Sequence, residues 1–266
     1  MRLSAESVVA ASNAWSWVPD DAVTVETDEY LLVRYPDYFD HPLGLTRFQP
    51  AGPVDDAVAA MLGRARQFGL PAVHWMVGLD GPAGVAELLE ARGATVAETL
   101  DVLARDLSRG APSLPASTVA VEMRWATDVD AARDGSAVGV EAFGGALPPE
   151  QRLVQMAVKD AAAIPAGEGG MVVAYVGGVP VGSGGVTLVD GVARLWGGAV
   201  AAKARGRGVY RAVLAARLAY GAAHGATMAL VKGRIETSGP ILRRAGFAAY
   251  GQEKIYRVPL KLRQFI

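Results

Sequence analysis

The sequence has 266 residues, of which 51% are hydrophobic, and its 26 basic and 27 acidic side chains leave a formal net charge of -1. This composition excludes a disordered chain and allows one large domain or two of about 130 residues each. The absence of cysteine excludes disulfides, thiolate metal sites and cysteine nucleophiles.

Pro, Gly and Ser cluster at residues 108–117 and interrupt the apolar periodicity there. This cluster predicts a linker that divides the chain into domains 1–110 and 111–266. Within the first domain, apolar spacing predicts these elements in chain order: strand 29–35, a helix over 54–67, strand 73–77, helix 82–92 and an extended stretch over 95–107.

The second domain shows a longer series of elements. Gly177 and Gly178 separate two apolar runs and predict a hairpin. The full prediction in chain order is strand 119–125, two helical stretches within 128–159, strands 171–176, 181–189 and 192–200, helix 209–224, strand 227–231, a short helix over 241–244 and an extended stretch over 247–260. The elements that follow Val73 match in order and type those that follow Met228, which indicates duplication of one fold.

Charge is distributed unevenly between the two predicted domains. Residues 1–110 carry 8 basic and 16 acidic side chains, whereas residues 111–266 carry 18 and 11. The basic second domain fits an anionic ligand or simple attraction between the two domains, and ordinary surface charge is the third interpretation. No basic run is interleaved with aromatic residues, so we expect no nucleic-acid partner.

Features that the sequence lacks bear on metal binding and on the location of the protein. The three histidines have no ligand-like spacing, and we therefore expect no metal. No secretory leader and no apolar run of 18 residues is present, so we expect a cytoplasmic protein without a membrane span.

The segment 200–210, VAAKARGRGVY, ends an apolar strand and opens a helix. Gly206 and Gly208 let the backbone approach a ligand closely, and the first turn of the helix offers unpaired N–H groups and a positive dipole end. Arg205 and Arg207 add positive charge beside the same point. The segment therefore predicts a pyrophosphate site. It is not a P-loop, because Gly208 is not followed by Lys and Ser or Thr.

This segment resembles the acetyl-CoA loop of the GCN5-related N-acetyltransferase (GNAT) family, whose pattern is Arg/Gln-x-x-Gly-x-Gly/Ala. Val200 is similar to the strand residue whose backbone pairs with the pantetheine arm. Residues 242–247, LRRAGF, are similar to the fourth helix of the family and its closing Gly-Phe. The resemblance implies that acetyl-CoA contacts Val200, Arg205, Gly206, Arg207, Gly208, Val209 and Tyr210.

The resemblance implies an α/β fold with two GNAT-like mixed-sheet domains, of which the N-terminal one is truncated or degenerate. The implied function is acetyl transfer from acetyl-CoA to a primary amine of a small-molecule or peptide acceptor, with a homodimer as one possible assembly. One alternative is a non-catalytic acyl-CoA-binding or sensing module. Another is an interaction scaffold that has lost the activity.

Three positions depart from the family pattern. Tyr210 stands where the family has a small residue, and Leu242 stands where a Tyr often protonates the departing thiolate. Ile235 or Glu236 stands where the family commonly has Asn. These departures affect the assignment of acid and base more than the binding of acetyl-CoA.

The catalytic residues are predicted from what remains. We take Glu236 as the general base, acting through water, although the same carboxylate could serve only to stabilise a helix N-terminus. Tyr210, Tyr250 and Tyr256 are candidate proton donors, and Tyr256 is placed in the predicted catalytic pair with Glu236. Glu141 is a further carboxylate that could reach the acceptor.

The first domain has no equivalent of the glycine loop. Its corresponding passage contains Pro50 and Pro53, which lack N–H groups, and only Gly52 permits a close approach. Asp55 and Asp56 then occupy the first helical turn, where they would repel a pyrophosphate. We therefore expect one acetyl-CoA site per chain.

Overall fold

The computed structural model describes residues 3–260. Within that range, the elements up to the predicted linker are α1 (Ala5–Asn13), β1 (Val23–Glu26), β2 (Tyr30–Arg34), β3 (Leu43–Phe48), α2 (Val54–Arg66), β4 (Ala72–Val77), α3 (Val85–Ala91) and β5 (Thr95–Asp106). After it come β6 (Glu122–Trp125), α4 (Val129–Phe143), α5 (Glu150–Ala163), β7 (Gly169–Val176), β8 (Val179–Val189), β9 (Val192–Val200), a 3-10 turn (Ala202–Ala204), α6 (Val209–Ala223), β10 (Met228–Arg234), α7 (Ser238–Arg244) and β11 (Ala248–Pro259).

All strands belong to one 11-stranded sheet in the order β1-β2-β3-β4-β11-β5-β10-β9-β8-β7-β6. The pairs β3/β4 and β9/β10 are parallel, and the other neighbouring pairs are antiparallel. The predicted α/β fold with a mixed sheet is thereby confirmed. Outward from the central pair β11/β5, both directions show antiparallel, parallel, antiparallel and antiparallel pairing in that order, and the β6 side has one further antiparallel strand.

The last strand of each predicted domain lies inside the other domain. β5 pairs with β10 and β11, and β11 pairs with β4 and β5. The two segments share one continuous sheet, so the strand pairing does not mark a boundary at residue 110. The boundary remains a prediction.

The helices divide between the two faces of the sheet. On one face, α1 packs through Val8 on Met228 and Leu230, while α4 and α5 cover Met171 and Val173. On the other face, the core beneath α6 and α7 contains Leu195, Val231 and Leu242, whereas α2 and α3 cover Trp75 and Tyr256. Side chains alternate between faces along each strand, so β10 contributes to both cores.

Local sequence explains several element boundaries. Asp128 begins α4 by accepting a hydrogen bond from the Ala131 backbone N–H at 2.8 Å. Gly177 and Gly178 take φ values of 59° and 78° and close the predicted β7/β8 hairpin, which is confirmed. The predicted strand over 29–35 is β2, whereas α1, β1 and β3 were not predicted.

Candidate functional site

Strands β9 and β10 separate towards their carboxyl ends. They pair from Val192 opposite Met228 to Leu195 opposite Val231, yet β9 continues to Val200 and β10 to Arg234. The unpaired ends leave a gap at one edge of the sheet. In parallel arrangements this edge is where ligands bind.

A bulge interrupts β9 beside this gap. The register between β8 and β9 shifts between Ser183 and Gly185, and Gly197 has a φ of 60°. A positive φ favours glycine, so the residue type permits the bulge. The bulge redirects the backbone of β9 where it parts from β10.

The loop between β9 and α6 ends at a helix N-terminus with no side-chain cap. Gly208 is the N-cap of α6 with a φ of 84°, and no acidic residue lies in the first turn. Gly206 has a φ of 75°, and a Cβ built there would meet nothing within 4 Å. The exposed backbone around Gly206 is therefore open to a ligand, and the helix N-terminus favours an anion.

Positive charge is concentrated on this loop. Lys203, Arg205 and Arg207 are exposed, and Arg211 follows in the first turns of α6. None of the four forms an ion pair with the part of the chain that the structure describes. Their charges are thus available to an anionic ligand.

The predicted linker, residues 108–117, holds the loop in place together with Thr118. The carbonyl oxygen of Arg207 accepts hydrogen bonds from Ser117 Oγ at 2.7 Å and from the Thr118 backbone N–H at 3.0 Å. Arg211 donates from Nε to the Pro115 carbonyl oxygen at 3.2 Å. A Cβ at Gly208 would lie 2.8 Å from Ser117 Cα, so this glycine also makes room for the linker.

Val200 and Arg205 are linked directly. Arg205 Nε donates to the carbonyl oxygen of Val200 at 3.2 Å, which ties the loop to the end of β9. Val200 and Val209 are buried in a core cluster beneath the loop. Their backbone groups, rather than their side chains, are the parts that could meet a cofactor.

The ring of Tyr210 fits against β9 because Gly198 has no side chain there. A Cβ at Gly198 would lie 3.2 Å from both Tyr210 Cε2 and Arg217 Nη2. Arg217, only 1% exposed, donates from Nη1 to the carbonyl oxygens of Gly185 and Trp196, each at 3.3 Å. Burial lowers the pKa of Arg217, and interaction with Tyr210 opposes that shift. Arg217 was not predicted from the sequence. The signal that could have identified it is its spacing of seven residues from Tyr210 on the same helix.

Two carboxylates lie at the same sheet edge as the loop. Glu236 is exposed and follows β10, whose carboxyl end borders the gap. Glu141, in the last turn of α4 on the opposite face of the sheet, accepts a hydrogen bond from the Ala202 backbone N–H at 2.7 Å. The structure therefore joins Glu141 to the backbone of the predicted cofactor loop, while Glu236 follows the neighbouring strand β10.

Tyr256 does not join this group. It is fully buried in the core beneath α2 and α3, and its hydroxyl donates to Glu90 Oε1 at 3.1 Å. Burial, with the Glu90 carboxylate adding to it, raises the pKa of Tyr256. Two strands separate β11 from β9, which corresponds to about 14 Å across the sheet. The predicted catalytic pair of Glu236 and Tyr256 is not brought together.

The equivalent helix start in the first segment has the opposite electrostatics. α2 begins after Pro53 without a side-chain cap and carries Asp55 and Asp56 in its first turn. Asp55 forms an ion pair with Arg92. An anion would meet carboxylates at this helix start.

Two further features concern metals and membranes. Between residues 3 and 260, no cluster of three or more His, Asp or Glu side chains is arranged to hold a metal ion. None of the helices in that range has the length and apolarity needed to cross a bilayer.

Comparison with known proteins identifies the fold and a family domain. Residues 142–236 match the sequence profile described as "Acetyltransferase (GNAT) family". The chain matches no curated protein significantly.

Solved structures resemble the whole chain. A GCN5-related N-acetyltransferase from Sphaerobacter thermophilus is 18% identical with a TM-score of 0.65, and the match covers 97% of this chain and 86% of that one. One from Kribbella flavida is also 18% identical, with a TM-score of 0.62 and coverage of 97% and 96%. A tandem GNAT protein from the clavulanic acid biosynthesis pathway is 16% identical, with a TM-score of 0.59 and coverage of 95% and 87%. At these identities the likeness establishes the fold.

Proposed function

We propose that this protein transfers the acetyl group of acetyl-CoA to a primary amine at the open ends of β9 and β10, because residues 142–236 match the model of the GNAT acetyltransferase family. The observation that carries the proposal is the helix start at Gly208, where exposed backbone and four cations meet without an acidic residue in the first turn. Acetyl-CoA, the acyl donor of the family, carries a pyrophosphate that suits this arrangement.

Each part of the proposed cofactor site has a distinct task. The backbone N–H groups at 206–210 and the side chains of Arg205 and Arg207 bind the pyrophosphate. The backbone of Val200 pairs with the pantetheine arm in the gap between the two strands. A pantetheine group there competes with Arg205 for the Val200 carbonyl oxygen, so we expect Arg205 to turn outwards when the cofactor binds.

The transfer itself requires two proton movements. The amine nitrogen attacks the thioester carbonyl carbon, the C–S bond breaks, and the thiolate departs. We assign removal of the amine proton to Glu236, acting through water, because it is the exposed carboxylate that follows β10. We assign protonation of the thiolate to Tyr210, since it lies against Gly198 next to the bulge of β9. Tyr256 is not included, because its hydroxyl is engaged by Glu90 in another core.

A second candidate function is acyl-CoA binding without catalysis. Leu242, at the position where the family often has its acidic Tyr, is fully buried. Strand β9, VARLWGGAV, carries no carboxylate that could serve as base. In both places a catalytic group known from the family is missing. Binding of the cofactor does not depend on either group.

The experiment combines calorimetric titration of CoA with an assay of thiol release from acetyl-CoA over a panel of primary amines. We expect one CoA site per chain and a loss of affinity of about tenfold or more in Arg207→Ala, since one charged hydrogen bond to phosphate is removed. The matched control is Arg244→Ala, an exposed arginine in the last turn of α7, which should leave affinity unchanged.

The outcomes separate the candidate functions. Binding together with amine-dependent thiol release supports the transferase, whereas binding without release across the panel supports the binding module. Failure of the full chain to bind CoA would refute both.

A further inference from the structure

The first segment contains a second gap between parallel strands. β3 and β4 pair only at Gly44 opposite His74 and Leu45 opposite Trp75, although β3 continues to Phe48 and β4 to Val77. This gap corresponds to the gap between β9 and β10 through the symmetric strand order. A cavity of about 60 Å³ lies there, lined also by the end of α1 and by side chains of β10 and β11.

Two opposite charges are buried in the wall of this cavity. Glu253 of β11, which is 1% exposed, accepts a hydrogen bond from Ser12 Oγ at 2.9 Å. Its other carboxylate oxygen lies 2.8 Å from Lys232 Nζ of β10. Removing charges from water is costly, so a pair of this kind in a cavity wall calls for a polar neighbour.

Two further polar atoms in the wall lack a hydrogen-bond partner within the described chain. They are the acceptor Asn13 Oδ1 and the donor Arg47 Nε, and both atoms are buried. Buried polar atoms are normally satisfied, and leaving one unsatisfied destabilises the fold. Both residues line the cavity, and the Arg47 guanidinium also donates from Nη2 to Glu26 Oε1 and to the Thr27 carbonyl oxygen.

Part of the remaining wall is aromatic, and Gln49 and Asp80 add polar side chains to it. Trp75 meets Phe48 edge to face with ring centroids 4.8 Å apart, and both line the cavity. Lys232 Nζ lies 5.8 Å from the centre of the Trp15 ring. Flat apolar walls with a few converging polar atoms are typical of small-molecule sites.

Size and charge limit the ligand. One water needs about 10–15 Å³ of such volume, so this cavity accepts a ligand of a few non-hydrogen atoms. A phosphate is disfavoured, because the carboxylates of Asp80 and Glu253 line the cavity. The lining contains the carboxylates of Glu253 and Asp80 and the cations Lys232 and Arg47, so the complementary ligand carries both signs.

We propose that the cavity between the ends of β3 and β4 binds a small zwitterion of the α-amino acid type. Its ammonium group donates to Asn13 Oδ1 and to the Glu253 carboxylate. Its carboxylate accepts from Arg47 Nε and from Lys232. This site is separate from the proposed acetyl-CoA loop and does not depend on acetyl transfer.

The test is calorimetric titration of the full-length protein, without CoA, using glycine, L-alanine and L-serine as probes. We expect saturable binding with one site per chain for at least one of them. Acetate and methylammonium, which carry one charge each, should not bind at the same concentrations. Tryptophan fluorescence gives a second readout, because Trp15 and Trp75 line the cavity.

Two variants locate the binding. Asn13→Leu removes the free acceptor and fills part of the cavity, and Glu253→Gln removes the carboxylate charge while keeping its shape. Each should lower affinity about tenfold or more. The control Gln151→Leu, which replaces an exposed amide on α5, should leave affinity unchanged.

Asn13→Leu keeps the test decisive if Glu253→Gln fails to fold. Absence of saturable binding for all three amino acids would overturn the proposal. So would unchanged affinity in a folded Asn13→Leu variant. Because CoA is absent from these titrations, either result leaves the acetyl-CoA proposal standing.

Discussion

At the scale of single residues, the site combines an unusual side chain with a compensating glycine. Tyr210 occupies a position where the family has a small residue, and its ring rests against Gly198. Arg217 lies beneath both and donates to carbonyl oxygens of β8 and β9 next to the bulge. The guanidinium thus stabilises the bulge and the tyrosine together, which gives this buried charge a structural reason to be present.

The two glycines of the loop should respond differently to the same substitution. Both have positive φ, but a Cβ at Gly206 meets nothing within 4 Å, whereas one at Gly208 lies 2.8 Å from Ser117 Cα. Gly206→Ala should therefore cost only the backbone strain, about 1–2 kcal/mol, and lower CoA affinity by restricting the approach of the pyrophosphate. Gly208→Ala should destabilise the fold further, because it also displaces the linker.

The measurement is urea unfolding combined with CoA titration for each variant. Equal unfolding free energies in the two variants would contradict the packing argument. Unchanged CoA affinity in Gly206→Ala would contradict the placement of the pyrophosphate.

At the scale of elements, sequence patterns predicted strands and helices best where apolar periodicity was strong. The run 171–200 gave β7, β8 and β9 close to their observed bounds, and the glycine loop gave the start of α6. The short strand β1 has an exposed pattern with little alternation, so it left no signal. The order of strands in the sheet could not be read from the chain, because β11 pairs with β4 across about 180 residues of sequence.

The candidate site, too, was predictable only in part. The loop at 205–208 was predicted from its glycines and arginines together with its place between an apolar strand and a helix. The position of Tyr256 depends on the strands beside which β11 packs. That arrangement is a matter of tertiary structure and could not be predicted from local sequence. The contacts of Ser117 and Thr118 with the loop likewise join residues about 90 positions apart.

Helix α5 carries a partly buried carboxylate, Asp160, that should make stability depend on pH. Asp160 accepts a hydrogen bond from the Met171 backbone N–H at 2.8 Å, yet burial dominates and raises its pKa to about 6. The unfolded chain loses this proton near the ordinary value of 3.8. Between about pH 4 and pH 6 the folded state binds more protons, so the contribution of Asp160 to stability falls as pH rises.

The variant Asp160→Asn removes this titration and keeps an oxygen acceptor. We expect it to gain stability relative to the wild type by about 1–2 kcal/mol as pH rises from 4 to 7, allowing for partial solvent screening. Urea unfolding of both proteins at each pH gives the difference. Asp28→Asn, at an exposed bend, is the matched control substitution. A difference for Asp160→Asn that does not change with pH would show that the carboxylate does not titrate in this range.

At the scale of the whole molecule, the uneven charge distribution serves contact between the two segments. Acidic residues of the first segment pair with basic residues of the second, namely Asp20 with Lys159, Glu98 with Arg234 and Asp101 with Arg243. Asp101 is buried and also accepts from Gln252 Nε2 at 3.1 Å. The attraction anticipated between the segments is thus realised in specific ion pairs, while the loop cations remain available for a ligand.

The exchange of strands predicts that the two segments cannot be separated without unfolding. β5 forms ladders with β10 and β11, so the sheet itself joins residues 1–110 to residues 111–266. A specific protease site inserted after Gly110, where the linker is exposed, should allow complete cleavage. We expect the two pieces to co-elute in size-exclusion chromatography at the position of the uncut protein, and to separate only in denaturant.

The same argument determines the behaviour of residues 111–266 produced alone. Without β5 and β4, strands β10 and β11 expose unpaired edges and the apolar surface that surrounds Leu103 in the intact core. This piece should aggregate or lack cooperative unfolding, and mixing it with residues 1–110 during refolding should restore a soluble complex. A monomeric, cooperatively folded piece, or separation of the cleaved halves in buffer, would show that each segment completes its own sheet.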